Sequence, residues 1–188
     1  MDEESRQSER FDFDGFWKDL IERFWRELLK SLLPTLYAVA DLTKEPVFLD
    51  KELRDVLHIS DDQDSPRFVD VLLKIPLKDG GEEWVLLHIE VQGKGCDDIS
   101  YRMALYCCLI FSHHYRMPVA LAILTAPRPE KEPLGIYTEE QCGTQLTYRY
   151  NCFEIMNQDD GALLGSDNPF DLIIYAAKKE SLFNLKVV

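Results

Sequence analysis

The amino-acid sequence predicts a mixed α/β domain, in which helices flank a sheet of parallel and antiparallel strands. Apolar residues recur at three- and four-residue spacing over 14–33, which indicates one face of a helix. Two β-rich segments, 67–75 and 84–92, are joined by Asp-Gly-Gly at 79–81, which favours an antiparallel hairpin. A helical segment then leads into a strand at 119–125, and a helix between two strands is typical of a parallel crossover.

The first helix has recognisable ends and an apolar stripe. Asp14 is placed to cap its N-terminus, and Pro34 follows its last turn. Trp17 and Trp25 lie on the apolar stripe, so we expect them to pack in the core. A weaker helical pattern follows at 35–41.

The strands differ in how their apolar residues are arranged. Residues 46–50 read as a first strand. The segment 119–125 is apolar without alternation, which is typical of a strand that is buried on both faces. Residues 146–155 alternate only in part and favour an edge strand.

Two further helices are predicted downstream. In the segment 99–115, apolar side chains cover much of the helix circumference, so we expect this helix to be sandwiched in the core. The last helix, 168–179, begins with Pro169 at its first helical position. The apolar positions of the earlier helix are Met103, Leu105, Tyr106, Leu109, Ile110 and Phe111.

Length and composition limit the class of protein. A chain of 188 residues is long enough for one domain with its own core. Residues 1–13 are charge-rich without apolar periodicity, which predicts a mobile acidic leader before a single domain at 14–188. No apolar run reaches the length of a membrane span and the N-terminus does not resemble a signal peptide, so we expect a cytoplasmic protein with no membrane partner.

Cysteine spacing and charge constrain the chemistry. The five cysteines show no paired spacing, which predicts reduced thiols rather than a disulfide framework or a zinc site. The formal net charge of -13 argues against a broadly basic surface of the kind that binds nucleic acid. It does not exclude nucleic acid, because a divalent metal and a local basic strip can offset a global excess of negative charge.

Two carboxylates interrupt the apolar hairpin strands. Burial of an ionised carboxylate costs several kcal/mol unless a partner compensates it, so Asp70 and Glu90 each call for such a partner. If the loop consists of three residues, 79–81, then Asp70 lies directly opposite Glu90 and both side chains share a face. A two-residue loop without a bulge would separate them. The other residues on the shared face are Leu72, Lys74, His88 and Gln92.

The order of polar motifs resembles the PD-(D/E)XK nuclease superfamily. Asp70 is followed on the next strand by Glu90-Val91-Gln92 and on the next helix by Arg102-Met103 and Tyr106. More narrowly, the segment His88–Gln92 and the following helix resemble the recombination-promoting nuclease and transposase-like family. The resemblance covers about residues 14–180 and includes three further segments, Asp14–Lys18, Phe48–Glu52 and Val119–Thr125.

This resemblance implies a fold and an activity. The fold would be a restriction-endonuclease-like α-β-β-β-α-β core with a mixed sheet flanked by helices. The activity would be Mg²⁺-dependent (or Mn²⁺-dependent) hydrolysis of DNA phosphodiester bonds by a transposon-associated, recombination-promoting endonuclease, with a homodimer supplying two sites if both strands are cut. Two alternatives stay open: a catalytically inactive interaction or regulatory module of the same fold, and a mobile-element relic whose domain is short at its C-terminus.

The resemblance also implies roles for the residues on the hairpin. Asp70 and Glu90 would hold one or two Mg²⁺ ions, which prefer oxygen ligands, and the Val91 backbone carbonyl would add another ligand. Gln92 stands where the superfamily usually has a lysine that orients or activates water, and it can bond that water without adding charge. The alternative is that both carboxylates are structural and are satisfied by arginine or backbone donors. His88, on the same face, is a core histidine or a ligand.

Residues outside the hairpin extend the candidate site. Asp14 is a further candidate metal ligand and Glu22 a second one, the alternatives being a helix cap and a solvated residue. Arg102 and Tyr106 lie four apart on one helix face and could bind a DNA phosphate, or Arg102 could pair with a carboxylate inside the fold. Lys74 is a candidate DNA contact or a solvated strand residue.

Overall fold

The computed structural model of the chain describes residues 13–49, 51, 68–78, 84–93, 99–127 and 134–186. The predicted leader, apart from Phe13, and the hairpin loop 79–81 lie outside these ranges. The helices are α1 (Phe13–Leu32), α2 (Pro34–Val39), α3 (Ile99–His114), α4 (Asp160–Leu164) and α5 (Pro169–Lys186), with a short 3-10 helix at Ile155–Asn157. The strands are β1 (Val47–Phe48), β2 (Phe68–Pro76), β3 (Trp84–Gln92), β4 (Val119–Leu124), β5 (Ile136–Gln141), β6 (Thr144–Arg149) and β7 (Asn151–Glu154).

The protein has an α/β fold with a five-stranded mixed sheet flanked by helices, as predicted. The strand order is β1-β2-β3-β4-β7. The pairs β1–β2 and β2–β3 are antiparallel, whereas β3–β4 and β4–β7 are parallel. Helix α3 forms the crossover between β3 and β4. The strand order places β3 in the middle of the sheet, where it is paired on both sides.

The two faces of the sheet carry different helices. One face packs against α1 and α5 through the large core cluster, which includes Trp17 and Trp25 as predicted. The other face packs against α3, where Met103 and Ile110 are buried. The sheet residues on the α1 and α5 face are Val71, Leu73, Ile75, Leu87, Ile89, Val91, Leu121 and Ile123, and those on the α3 face are Leu72, Leu86, Ala120, Ala122 and Leu124.

Two expectations about the helices are wrong. Helix α1 already includes Phe13, so Asp14 lies in its first turn rather than at the capping position. Helix α3 is not sandwiched, because only one of its sides lies on the sheet and Leu105 and Phe111 are exposed. An apolar side chain on a helix thus does not guarantee that a second layer covers it.

The predicted edge strand 146–155 is divided between two sheets. Tyr150 separates β6, which pairs with β5 in a two-stranded hairpin, from β7, which is the edge strand of the main sheet. The sequence pattern did not predict this hairpin. Its two-residue turn, Cys142-Gly143, has positive φ at both positions, 51° and 82°, which matches the mirror-image turn that tight hairpins prefer.

Two findings bear on thiols and on membrane spans. Among the described residues, Cys107, Cys108 and Cys142 take part in no disulfide bond. Within the described ranges, every helix is too short or too polar to cross a lipid bilayer.

Asn168 joins the last helix to the first. Its Oδ1 accepts a hydrogen bond from the Phe170 backbone N–H at 3.0 Å and so caps α5, which starts with Pro169 as predicted. Its side-chain amide donates to the Glu27 carbonyl on α1 at 2.9 Å. Asn168 is buried, so both bonds are shielded from water.

We expect Asn168→Ala to lower the free energy of unfolding by about 2 kcal/mol, since α5 loses its cap and the Glu27 carbonyl loses a donor. Urea unfolding followed by circular dichroism measures the change. Asp167→Ala, at the exposed neighbour, is the control and should stay within about 0.5 kcal/mol of the unsubstituted protein. Equal stability of the two variants would show that Asn168 does not join the helices.

Candidate metal and phosphate site

The strand register places the two carboxylates opposite each other. In the β2–β3 ladder Asp70 pairs with Glu90, Leu72 with His88 and Phe68 with Gln92. This is the register that a three-residue loop predicts, and directly opposite residues share a face of an antiparallel pair. The side chain of Asp70 lies outside the described part of the structure, so its position is known only through its backbone register.

Glu90 lies buried beneath the first turn of α3. Its side chain is 0% exposed and forms an ion pair with the Nη2 of Arg102, whose side chain is 17% exposed. The same nitrogen donates to Gln92 Oε1 at 3.3 Å. The structure therefore shows the internal pairing that was one of the two alternatives for Arg102, and it brings Glu90, Gln92 and Arg102 together.

The crossover from β3 into α3 explains why these three residues meet. Ile99 and Met103 anchor the start of α3 on the sheet beside Ala122. Arg102 lies between these two anchors in sequence, at the edge of the buried side of the helix, and can reach across to the middle strand. Ala122 pairs with Glu90 in the β3–β4 ladder, and its small side chain leaves room for the longer ones.

The next turn of α3 carries Tyr106, which packs on His88. The ring centroids are 5.6 Å apart with an interplanar angle of 68°, an edge-to-face arrangement. His88 is completely buried, as expected of a core histidine. Tyr106 thus extends the contact between α3 and β3 by one helical turn beyond Arg102.

Thr125 is part of the site and was missed by sequence analysis. Its backbone N–H and its Oγ1 both donate to the Gln92 carbonyl, at 2.9 and 3.1 Å. Thr125 follows β4 directly, and β4 runs parallel to β3, so the two strand ends meet at the same edge of the sheet. The signal available in the sequence was a hydroxyl residue directly after an apolar strand.

Lys74 does not lie near the carboxylates. It pairs with Leu86, four residues before Glu90, which is about 13 Å along the strand. Its ammonium group lies 4.3 Å from the centroid of the Trp84 ring, and the Arg116 guanidinium lies 4.8 Å from the same centroid. These cations form a separate cluster towards the start of β3.

Glu22, one of the two acidic candidates from the first helix, does not lie near Glu90 either. Helix α1 packs on the face of the sheet opposite to that of Glu90. The side chain of Asp14 lies outside the description, and Glu22 is exposed, as the solvated alternative predicted. Val91 belongs to the middle strand, with its side chain in the core cluster on the α1 face.

Glu90 carries a carboxylate on this face of the sheet, and oxygen ligands of this kind are what a hard divalent cation such as Mg²⁺ prefers. Asp70, directly opposite, would add a second carboxylate at the Cβ separation of about 5 Å that is usual for such pairs. A carboxylate accepts several bonds at once, so pairing with Arg102 and ligation of a metal are compatible for Glu90. Among the described side chains, which do not include that of Asp70, no three His, Cys, Asp or Glu residues form a metal-binding group.

Comparisons with known proteins give no assignment. The chain matches no protein-family model, no curated protein and no solved structure.

Proposed function

We propose that this protein is a metal-dependent DNA endonuclease of the PD-(D/E)XK kind, in a transposon-associated, recombination-promoting role. The observation that carries the proposal is the register in which Asp70 lies directly opposite Glu90. The order of elements, with α1 before β1–β3 and the α3 crossover before β4, also supports it, since this order is compatible with the α-β-β-β-α-β core that the resemblance implies. Reduced thiols are typical of the cytoplasm, which is the location we propose.

The residues of the hairpin would have separate roles in phosphodiester hydrolysis. Asp70 and Glu90 would hold Mg²⁺ or Mn²⁺, with the Val91 carbonyl as a further ligand. When bound, such an ion neutralises charge on the scissile phosphate and lowers the pKa of a coordinated water. Gln92, at the end of the same strand, can orient a water through its side-chain amide but supplies no positive charge.

Arg102 and Tyr106 would position the DNA. A guanidinium carries five N–H donors and can bond a carboxylate and a phosphate at the same time. Arg102 already bridges Glu90 and Gln92, so a phosphate bound to it would lie beside the candidate metal ligands. Tyr106 lies on the same helix face one turn later and is only half-buried.

A second candidate function is an inactive nuclease-fold module that binds another macromolecule. It is favoured by the complete burial of Glu90 and its ion pair with Arg102, which together suffice as a structural role for that carboxylate. The net charge of -13 and the glutamine at position 92 point the same way.

Cleavage of supercoiled plasmid tests the first candidate. With Mg²⁺ or Mn²⁺ present, we expect nicking by the unsubstituted protein and a loss of about 100-fold or more in Asp70→Asn and in Glu90→Gln, because several kcal/mol of charge stabilisation depend on the metal. Glu22→Gln should cleave normally, because Glu22 is exposed on α1, the helix that packs on the other face of the sheet.

Equal cleavage by all three variants would reject the site. No cleavage by the unsubstituted protein, together with no Mn²⁺ binding by calorimetry, would instead favour the inactive module. Circular dichroism of each variant establishes that a loss of cleavage does not reflect unfolding.

A further inference from the structure

The end of the sheet at which β2 finishes and β3 begins carries an open pocket, here called the α2 pocket. It is the space between helix α2 and the strand residues Leu77, Val85 and Val119, and its volume is about 490 Å³. Leu36 of α2 is buried at its floor, whereas Val39 of α2 is 49% exposed at its mouth. Sites for small molecules usually have volumes of about 300–1,000 Å³, so the α2 pocket has the size of such a site.

Backbone hydrogen bonds fix the position of α2 beside the pocket. The Lys78 backbone N–H donates to the Val39 carbonyl at 3.0 Å, and the Asp41 backbone N–H donates to the Pro76 carbonyl at 2.8 Å. These two bonds tie the end of α2 to the end of β2. This wall of the pocket is therefore in place before a ligand arrives, which spares the ligand the cost of ordering it.

The lining of the α2 pocket is mostly aliphatic. Leucine, valine and proline supply most of it, and Thr35 and Asn151 are its polar residues. These described lining residues include no aromatic ring on which a nucleobase could stack and no arginine that could hold a phosphate in two bonds. An alkyl chain is the ligand group that such walls favour, because its apolar surface leaves water on binding.

A lysine stands at the mouth of the pocket. Lys78 directly follows Leu77 of the lining, is exposed, and donates through Nζ to the Ala38 carbonyl at 2.7 Å. Within the part of the chain that the structure describes, this uncharged carbonyl is the partner of its ammonium group, whereas Asp41 is paired with Lys44. An ammonium group has three N–H donors, so Lys78 can bond an anion as well. Its position beside an apolar mouth favours a ligand whose alkyl chain ends in an anion.

We propose that the α2 pocket binds an alkyl carboxylate of medium chain length, with the chain between Leu36 and Val119 and the carboxylate at the Lys78 ammonium group. The pocket is separate from the candidate metal and phosphate site. Val85 and Val119 belong to the face of the sheet that packs on α1, whereas Glu90 lies on the α3 face. The proposal therefore does not depend on the endonuclease proposal.

An NMR titration of the ¹⁵N-labelled whole chain with octanoate tests the proposal. We expect amide shifts to concentrate in α2 and around Leu77, Val85 and Val119, with a Kd of about 0.1 mM for a ligand of this size. Octanoate should bind about 15-fold more tightly than hexanoate, because it buries two further methylene groups. Shifts concentrated elsewhere in the chain, or no saturable shifts, would overturn the proposal.

Two valine variants test the location of the alkyl chain. Val39→Glu places a carboxylate at the mouth, which repels the anion and removes apolar surface, so the Kd for octanoate should rise at least about 10-fold. Val47→Glu is the matched control at a valine of β1 that is 54% exposed and does not line the pocket, and it should leave the Kd unchanged. Equal binding by the two variants would place octanoate outside the α2 pocket and contradict the proposal.

Two lysine variants test the position of the carboxylate. Lys78→Gln should weaken octanoate about 3- to 5-fold, the usual effect of an exposed ion pair, and leave the binding of octanol unchanged. Lys44→Gln, at the lysine that is paired with Asp41, should leave both ligands unchanged. If Lys78→Gln weakens octanol as much as octanoate, or weakens neither, the lysine does not recognise the carboxylate.

Sedimentation tests whether a second copy of the chain fills the pocket instead. We expect the same sedimentation coefficient with and without saturating octanoate, because the ligand occupies a pocket that is open to solvent. A dimer that octanoate dissociates would show that another protomer inserts into the α2 pocket and would overturn the assignment of a small-molecule site.

Discussion

We expect Arg102→Met to lower the free energy of unfolding by about 3–5 kcal/mol, which is the usual effect of leaving a buried carboxylate without its charged partner. Glu90 is completely buried in the middle strand, and the Arg102 guanidinium is its ion-pair partner there. Methionine keeps most of the length of the side chain, so the loss reports the charge rather than a cavity. Urea unfolding followed by far-UV circular dichroism measures it.

Two further variants separate this effect from a general loss of arginine. Arg149→Met, at an exposed position on β6, should change stability by less than about 0.5 kcal/mol. The double variant Glu90→Gln with Arg102→Met should recover most of the loss, because neither charge is then left buried. If Arg102→Met is as stable as Arg149→Met, the ion pair contributes nothing to the fold.

The second large effect is expected on the opposite face of the sheet. Trp17→Ala should lower the free energy of unfolding by about 3–5 kcal/mol, because Trp17 is only 1% exposed and belongs to the core cluster that joins α1 to the sheet. Trp17→Phe keeps an aromatic ring and should lose less than half as much. Circular dichroism is the suitable probe, since the substitution removes one of the three tryptophans and so changes the fluorescence by itself. Similar losses in the two variants would show that ring volume is not what anchors the helix.

Local patterns were sufficient to predict most of the sheet and its register. The Asp-Gly-Gly turn and the apolar run at 119–125 act over a few residues, so their consequences can be worked out from the chain alone. The pairing of Asp70 with Glu90 depended in addition on a three-residue loop, which the sequence left open and with which the observed register agrees.

Features that depend on tertiary packing were not predictable in the same way. Leu105 and Phe111 are apolar, yet whether a second layer covers α3 is decided by elements elsewhere in the chain. The hairpin turn at Cys142-Gly143 was missed because β5 and β6 are mostly exposed and have no apolar face to reveal them.

Glu90, Gln92 and Arg102 were candidates from the sequence, but the bonds that Arg102 forms with the other two were not predicted. Sequence spacing placed Arg102 on the same helix face as Tyr106, which left a phosphate and a carboxylate as competing partners. The choice of Glu90 depends on the path of the chain between β3 and α3, and no local pattern specifies the direction in which the helix returns over the sheet. Thr125 was missed for the same reason, since its partner Gln92 is distant in sequence.

The position of β3 between two paired neighbours has a consequence for how the site could adapt to a ligand. Strand pairing fixes the backbone of Glu90 on both sides, through Asp70 and through Ala122. Displacement of this backbone would break the ladder at the centre of the sheet, so its local opening has nearly the free energy of global unfolding. Any induced fit must therefore come from rotamer changes in long side chains such as that of Arg102, while the backbone of β3 stays rigid.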